Sequence, residues 1–342
     1  MSRARVARRI ATAAAFGGGG ISLLGGAAVG ILLTEVRLAK RVVGGSDDEP
    51  PKADGRYGSA FAQPTGRAPL RLSFLGDSTA AGQGVHRARE TPGALLASGL
   101  AAVAERPVQL VNVAQPGAQS DDLARQVSLL VHEETAPPDV VVIMIGANDV
   151  TRRMPLSTSV RLLSDAVRRL RAAGTEVVVG TCPDLGSVEP VYQPLRWLAR
   201  RASRQLAAAQ TIAVVELGGR TVSLGDLLGP EFEARPRELF GPDNYHPSAE
   251  GYATAAMAML PTVCAVLGLW PEADEHPDVR RGEAFLPVAQ AAVAAASEGG
   301  TEVTAAQSAT GPRGRFALLK RRRRRPLPGA PAHPEPAEGA AP

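Results

Sequence analysis

Four short segments of the chain combine a serine, a glycine, an asparagine and an Asp–His pair with the small residues typical of tight turns. They contain Ser78, Gly117, Asn148 and the pair Asp243 and His246. The first three segments each follow an apolar run that predicts a buried strand. Open α/β proteins place their sites where parallel strands end, so we expect these side chains to meet at the carboxyl edge of one sheet.

These residue types suit acyl transfer through a serine nucleophile. A serine hydroxyl is a weak nucleophile at neutral pH and needs a general base, which His246 can supply. Asp243 lies three residues before the histidine, where its carboxylate would fix the imidazole tautomer and stabilise the imidazolium. We therefore predict that Ser78, Asp243 and His246 are the catalytic residues.

The tetrahedral intermediate of acyl transfer carries a negative oxygen that needs hydrogen-bond donors. We predict an oxyanion hole made by the backbone N–H groups of Ser78 and Gly117 and the side-chain amide of Asn148. Each residue also has an ordinary alternative: a helix cap for Ser78, a turn glycine for Gly117, a cap residue for Asn148 and a surface position for His246. Their joint occurrence, in this order after these elements, favours the catalytic interpretation.

Two further aspartates stand beside these residues and are interpreted as structural. Asp77 precedes the serine, so its side chain should point away from the hydroxyl and hold the turn. Asp149 follows Asn148 and is given the same interpretation.

The elements that must position these residues alternate between strands and helices. A helix over Ser159–Ala172 places its apolar residues on one face, and a second amphipathic helix covers Ala249–Leu267. Continuous apolar strands joined by helices predict an α/β fold whose parallel sheet is covered on both sides. The predicted strands are Leu70–Leu75, Val108–Val113, Val140–Ile145, Glu176–Gly180 and Ile212–Glu216.

The basic charge of the chain is concentrated at its two ends. Residues 1–45 carry seven Lys or Arg against one Glu, and residues 311–342 carry eight against two Glu. The body between them is therefore mildly acidic, which argues against a nucleic-acid enzyme with a basic binding face. The chain has two cysteines, Cys182 and Cys264, which either form a disulfide or remain as buried thiols. No cysteine or histidine spacing indicates a metal site.

The terminal segments predict a membrane attachment and an unstructured tail. Residues 1–43 are interpreted as a membrane anchor or a cleaved signal, because the 25 residues from Ile10 to Thr34 carry no charge. Either alternative places the catalytic domain outside the cytoplasm, as an anchored or a secreted protein. We predict a linker over 44–68, a catalytic domain over 69–270, a charged segment with an Ala-rich helix over 271–298 and a disordered polybasic tail over 299–342. Within the tail, Lys320–Arg325 is either a solvated run or a contact for an anionic surface.

The four segments together resemble the SGNH/GDSL hydrolase superfamily. Gly76-Asp77-Ser78 matches its first block, Gly117 the second, Gly146-Ala147-Asn148-Asp149 the third and Asp243-Asn244-Tyr245-His246 the last. The resemblance implies a three-layer, flavodoxin-like sandwich around a five-stranded parallel sheet, and hydrolysis of carboxylic esters without a metal or cofactor. Thr79 stands where the family name has Leu, at a variable position. Ala80 stands where the commoner α/β-hydrolase signature has its second glycine.

The functional prediction is a serine hydrolase of the esterase or lipase type that acts on a lipid or an acylated glycan. Two alternatives use the same scaffold differently. The site could transfer or remove acyl groups on cell-envelope glycan, since a sequence does not separate water from a sugar hydroxyl as the acceptor. The domain could also bind the envelope without catalysis, although an intact Ser78, Asp243 and His246 argue against this.

Overall fold

The computed structural model describes residues 34, 49–62, 66–131, 136–188, 192–224, 236–269, 283–298, 300–306 and 316–321. The strands are β1 Gly55–Tyr57, β2 Leu70–Gly76, β3 Val108–Asn112, β4 Val140–Met144, β5 Glu176–Gly180, β6 Arg220–Val222, β7 Ala284–Pro287, β8 Glu302–Ala305 and β9 Phe316–Lys320. The helices are α1 Ser78–Ala81, α2 Pro92–Ala104, α3 Leu123–Leu130, α4 Ala147–Thr151, α5 Leu156–Ala172, α6 Leu195–Glu216, α7 Pro236–Leu239, α8 Ala249–Val266 and α9 Val288–Ala295.

The sheet has a parallel centre and antiparallel margins. Among the described residues it contains nine strands in the order β1-β3-β2-β4-β5-β6-β8-β9-β7. The pairs from β3 to β6 are parallel, whereas β1 on one side and β8, β9 and β7 on the other are antiparallel. The α/β class is confirmed, but the prediction of a five-stranded parallel sheet is wrong for the sheet as a whole, which is mixed.

Helices cover both faces of the parallel centre, as continuous apolar strands require. On one face, Phe74 and Val142 pack in a cluster with residues of α2 and α8, such as Leu100 and Met259. On the other face, Ile143 packs in a cluster with residues of α3 and α5. All five residues of β4 are buried. Burying one such aliphatic side chain contributes about 1.5–3 kcal/mol, so these layers hold the strand ends at fixed positions.

The last predicted parallel strand was misplaced. Ile212–Glu216 is the final part of the long helix α6, and the strand follows after Gly218, at Arg220–Val222. Gln210 and Val214 are buried at helical spacing, whereas a five-residue apolar run does not by itself distinguish a helix from a strand.

The predicted disordered tail contains two strands, so that prediction is wrong for its described part. β8 pairs with β6 and β9, and helix α9 packs its buried alanines in one cluster with Val303, Ala317 and Leu319. Two further backbone hydrogen bonds hold the chain just before β8. The Ser223 N–H donates to Thr301 O at 2.9 Å, and the Gly300 N–H donates to Ser223 O at 2.7 Å. Residues 307–315 and 322–342 lie outside the described residues, as does the charged segment over 271–282.

The predicted polybasic surface is described only at its start. Lys320 ends β9, and Arg321 forms a salt bridge of 3.3 Å with Glu298. Arg322–Arg325 lie outside the described residues, so contact with an anionic surface stays a prediction.

The amino-terminal predictions fall mostly outside the description. Of the apolar stretch from Ile10 to Thr34, the structure describes only Thr34. Within the described ranges, no helix combines the length and apolar character needed to cross a bilayer. The predicted linker over 44–68 contains strand β1, which pairs with β3 at the edge of the sheet. A strand of three residues that begins with a glycine is too short for a periodic pattern to reveal.

Candidate active site

The serine turn is fixed by backbone sterics and by a helix cap. Strand β2 ends at Gly76, and Ser78 is the first residue of α1, with 8% of its surface exposed. Gly76 has φ +136°, and a Cβ atom there would lie 1.9 Å from the carbonyl oxygen of Met144, so only glycine fits. The Asp77 carboxylate accepts a hydrogen bond from the Thr79 N–H at 3.0 Å, as an N-cap. Asp77 therefore holds the turn, as predicted.

A buried glutamine holds the same glycine from the opposite face of the sheet. The Gln126 side chain accepts from Gly76 N at 2.8 Å and donates to Gly76 O at 2.9 Å. Gln126 lies on α3 and is fully buried. Sequence reasoning missed this residue, although a polar side chain on the apolar face of a helix was a signal that could have found it.

The structure brings the predicted catalytic residues into one chain of hydrogen bonds. His246 Nε2 lies 2.8 Å from Ser78 Oγ, although the two residues are 168 positions apart. His246 Nδ1 lies 2.5 Å from Asp243 Oδ2. The other carboxylate oxygen of Asp243 accepts the backbone N–H groups of Tyr245 and His246, each at 3.0 Å. The imidazole is thus held between a buried hydroxyl and a carboxylate.

Backbone contacts on both sides close the turn that carries Asp243 and His246, called the histidine turn below. The N–H of Gly241 donates to His246 O at 2.8 Å, and Phe240 and Pro247 form an antiparallel bridge. A Cβ atom on Gly84 would lie 2.9 Å from His246 Cβ, so the segment after the serine turn packs directly against the histidine. This close approach limits how far the imidazole can move from the hydroxyl.

The two aspartates of the site have pKa values displaced in opposite directions. Burial raises the pKa of Asp77 to about 6, and the Thr79 N–H and the charge of His246 only partly offset it. Burial also opposes ionisation of Asp243, but its hydrogen bonds and charge interaction with His246 outweigh burial and lower its pKa. Asp243, which contacts His246 Nδ1, therefore remains ionised at neutral pH and below it.

The loop that carries Gly117 lies next to the serine turn, and the side chain of Asn148 on α4 bonds to this loop. The N–H of Gln115, at the start of this loop, donates to Gly76 O at 3.0 Å. Gly117 has φ +77°, a left-handed conformation that favours glycine. Asn148 Nδ2 donates to Ala118 O at 3.0 Å, which leaves its second amide hydrogen for another acceptor.

Asp149 is structural, as predicted. It is 1% exposed, and its carboxylate accepts the N–H and the hydroxyl of Ser120, at 2.9 and 2.5 Å. It also accepts the Ser159 hydroxyl at 2.5 Å. These bonds tie helix α4, which carries Asn148, to the loop after Gly117 and to helix α5.

A small apolar cavity of about 50 Å³ adjoins Ser78, and Gly117 is not among the residues that line it. Its walls include Pro183, Leu185, Leu224, Tyr245 and Tyr252. Such a volume is far below the roughly 300–1,000 Å³ of pockets that enclose drug-sized ligands. Within the described ranges, no three His, Cys, Asp or Glu side chains lie close enough to hold a metal ion. Both cysteines are buried and free, so no disulfide joins them.

The comparisons with known proteins identify a family. Residues 74–254 match the GDSL-like lipase/acylhydrolase family. The GDSL-like esterase Rv1075c of Mycobacterium tuberculosis (strain ATCC 25618 / H37Rv) is 44% identical over 252 residues, which cover 72% of this chain and 79% of that protein.

Solved structures with a related arrangement are more distant. TesA aligns with a TM-score of 0.45 and 22% identity, over 58% of this chain and 99% of that chain. Axe2, an acetylxylan esterase from Geobacillus stearothermophilus, aligns with a TM-score of 0.44 and 20% identity, over 60% of this chain and 97% of that chain. The family match and the 44% identical relative decide the assignment: the chain belongs to the GDSL-like lipase/acylhydrolase family and is a carboxylic ester hydrolase.

Proposed function

We propose that the enzyme cleaves carboxylic esters through an acyl-enzyme on Ser78, with His246 as general base and Asp243 as its partner. The observation that carries this proposal is the continuous hydrogen-bond chain, with Ser78 Oγ 2.8 Å from His246 Nε2 and Nδ1 2.5 Å from Asp243 Oδ2. Both contacts are within the reach that proton transfer between a nucleophile and its base requires.

The reaction proceeds in two steps. Ser78 Oγ attacks the ester carbonyl carbon while its proton passes to His246 Nε2. The imidazolium then gives that proton to the oxygen of the leaving alcohol, and the acyl group remains on Ser78. In the second step His246 takes a proton from water, the hydroxide attacks the acyl-enzyme, and the acid leaves as Ser78 regains its proton.

Asp243 acts through His246. Its lowered pKa keeps it ionised at neutral pH, so its charge stabilises the imidazolium that forms during each step. Its contact with Nδ1 sets the tautomer, leaving Nε2 free to accept the serine proton.

The negative oxygen of the tetrahedral intermediate is proposed to sit between the N–H groups of Ser78 and Gly117 and the amide of Asn148. Two features support this. N–H groups at the first turn of a helix lack intrahelical acceptors, which applies to Ser78 at the start of α1. Asn148 is fixed by its bond to Ala118, so its free amide hydrogen is pre-oriented. One such donor is typically worth roughly 10²–10³ in rate.

The substrate is proposed to be an ester with a short acyl group. The apolar cavity beside Ser78 is the space available to the acyl chain, and its volume of about 50 Å³ is small. A series of p-nitrophenyl esters tests this: kcat/KM should be highest for two- to four-carbon acyl groups and fall for longer ones. A maximum at eight carbons or more would contradict the assignment of this cavity.

The nucleophile is tested by substituting Ser78→Ala and measuring p-nitrophenyl acetate hydrolysis. We expect a loss of at least about 10³-fold, because the hydroxyl forms the covalent bond. Ser128→Ala is the matched control, since Ser128 is exposed on α3, where its hydroxyl donates to Ala124 O and accepts from the Arg169 guanidinium of α5, away from the proposed triad. Equal rates for Ser78→Ala and Ser128→Ala would reject the mechanism.

We further propose that the catalytic domain acts outside the cytoplasm, tethered or released at its amino end. The support is the uncharged stretch from Ile10 to Thr34 with basic residues on both sides. Protease accessibility of the domain in intact cells tests it; complete protection until lysis would contradict it.

A further inference from the structure

Arg152 stands beside the loop that carries Gly117. It follows Asn148 by four residues and caps the carboxyl end of α4. Residues four apart lie on the same face of a helix, so Arg152 extends the face from which Asn148 reaches the loop. A Cβ atom placed on Gly117 would lie 3.3 Å from Arg152 Nη2. The guanidinium therefore flanks the proposed oxyanion hole at close range.

This guanidinium is exposed and has no carboxylate partner in the described part of the chain. The same holds for Arg153, the next residue. Arg168, by comparison, pairs with Asp165 on its own helix. At the end of α4, no carboxylate of the described residues pairs with the Arg152 guanidinium, which lies beside the Gly117 loop.

The carboxylates near this loop are not paired with either arginine. Asp149 is buried and bonded to two serines. Asp122 accepts the N–H of Gln119 and lies 4.0 Å from Arg125. Asp121 is exposed on the same turn and forms no salt bridge with either arginine. The positive charge at the end of α4 is thus available to a ligand.

The turn after Arg152 is fixed by backbone hydrogen bonds. The N–H of Met154 bonds to Asp149 O at 2.8 Å and that of Arg153 to Val150 O at 3.1 Å, the pattern of a Schellman motif. Arg153 occupies its left-handed position with φ +60°. The carboxyl end of α4, from which the Arg152 side chain extends, therefore has a defined backbone conformation.

We propose that Arg152 forms an anion-binding subsite beside the proposed oxyanion hole, so that the preferred substrates are esters carrying a carboxylate or a phosphate. This inference rests on the proposed function. Neither Gly117 nor Arg152 lines the apolar cavity that is assigned to the acyl chain. The anionic group therefore belongs to the alcohol part of the ester.

The test compares aryl acetates that differ in one charge. Methyl 3-acetoxybenzoate is the neutral reference, 3-acetoxybenzoate carries a carboxylate on the leaving group, and 3-acetoxyphenyl phosphate carries a phosphate. The wild-type enzyme should show a higher kcat/KM for at least one anionic ester than for the reference. The two anionic esters distinguish a carboxylate from a phosphate, and raising the salt concentration should reduce the preference.

Arg152→Gln should lower the ratio of anionic to neutral kcat/KM by about fivefold, which is the range for a solvent-exposed charge pair. Arg152→Lys should restore part of it, and Arg168→Gln, an exposed arginine on α5, is the matched control. A ratio equal to that of the wild type, or an equal loss on neutral and anionic esters, would overturn the proposal. Failure of the mechanism itself is distinguishable, because Ser78→Ala would then retain activity on all three esters.

Discussion

The serine turn and the histidine turn each carry an aspartate near a residue of the proposed catalytic triad, but the two environments shift the pKa values of these carboxylates in opposite directions. Asp77 is 3% exposed and has a pKa raised to about 6. Asp243 has a lowered pKa because the hydrogen bonds it accepts outweigh its burial. The comparison teaches that the hydrogen bonds and charges around a carboxylate, and not its closeness in sequence to Ser78 or His246, decide the direction in which its pKa is shifted.

The two turns also differ in how their backbone is held. The serine turn depends on Gly76, which has no room for a side chain and whose backbone is hydrogen-bonded by Gln126. The histidine turn is held by hydrogen bonds, and its left-handed position is occupied by Asn244 at φ +54°. The first turn should therefore be intolerant of substitution, whereas the second should tolerate small residues.

The largest expected effect is on catalysis, from Asp243→Asn. Removing the charge beside Nδ1 and disturbing the tautomer should lower kcat by about 10³–10⁴-fold. Asp77→Asn should reduce it far less, since the Asp77 side chain caps α1 at Thr79. Steady-state hydrolysis of p-nitrophenyl acetate measures both. Equal losses of kcat for the two variants would contradict the different roles proposed for the two aspartates.

The next effect is on stability, from Gly76→Ala. The added Cβ atom would lie 1.9 Å from Met144 O, so β2 and β4 would have to move apart, and we expect a loss of at least about 3 kcal/mol. Gly174→Ala is the control, because Gly174 has φ +81° with no atom within 4 Å of the added Cβ. It should cost about 1 kcal/mol. Denaturant unfolding separates the steric clash from the backbone strain, and a similar cost at both sites would contradict the clash.

A smaller effect, the pH dependence of the free energy of unfolding, also distinguishes the two aspartates. The pKa of Asp77 is about 6 in the folded protein against 3.8 for an unperturbed side chain, so folding favours the protonated form. Its contribution to stability is complete below pH ~4 and is lost as pH rises through 6, a change of about 3 kcal/mol. Asp77→Asn should remove this dependence. Asp243 acts in the opposite sense, because its lowered pKa gives stability that is lost as pH falls through the folded value.

The measurement is the free energy of unfolding of the wild type and Asp77→Asn between pH 4 and 7. The free energy of unfolding of Asp77→Asn should rise relative to that of the wild type as the pH increases across this window. A constant difference between the two proteins would show that Asp77 has no raised pKa.

The smallest effect is expected at Asn244→Gly in the histidine turn. Asparagine already tolerates the left-handed region, so glycine should change the free energy of unfolding by less than about 1 kcal/mol. Thermal unfolding and the rate of ester hydrolysis check this. A loss comparable to that of Gly76→Ala would show that both turns are equally constrained.

The spatial grouping of Ser78, Asp243 and His246 could be predicted from the sequence because these residues lie in short, recognisable segments. A serine, a histidine and an aspartate three residues before it are recognisable by type and order, and the sheet brings their strand ends together. The supporting residues were not predictable in the same way. Gln126 acts on the backbone of Gly76 across the sheet, a contact that no local pattern encodes.

The fold was predictable at its centre and not at its margins. β4 has five consecutive buried residues and is unmistakable, whereas β1 and β6 have three residues each and take their stability from neighbouring strands. β9 lies in a stretch whose composition is typical of disorder, yet Phe316–Lys320 pairs on both sides. Tertiary pairing overrides composition when a segment completes an existing sheet.

The central claim is that Ser78 is the nucleophile activated by His246, and covalent labelling tests it most directly. The full-length protein would be treated with a fluorophosphonate and its peptides mapped by mass spectrometry. The account predicts a single adduct on the peptide containing Ser78, formed quickly by the wild type and very slowly by His246→Ala. An adduct on another serine, or none in an enzyme that still hydrolyses esters, would contradict it.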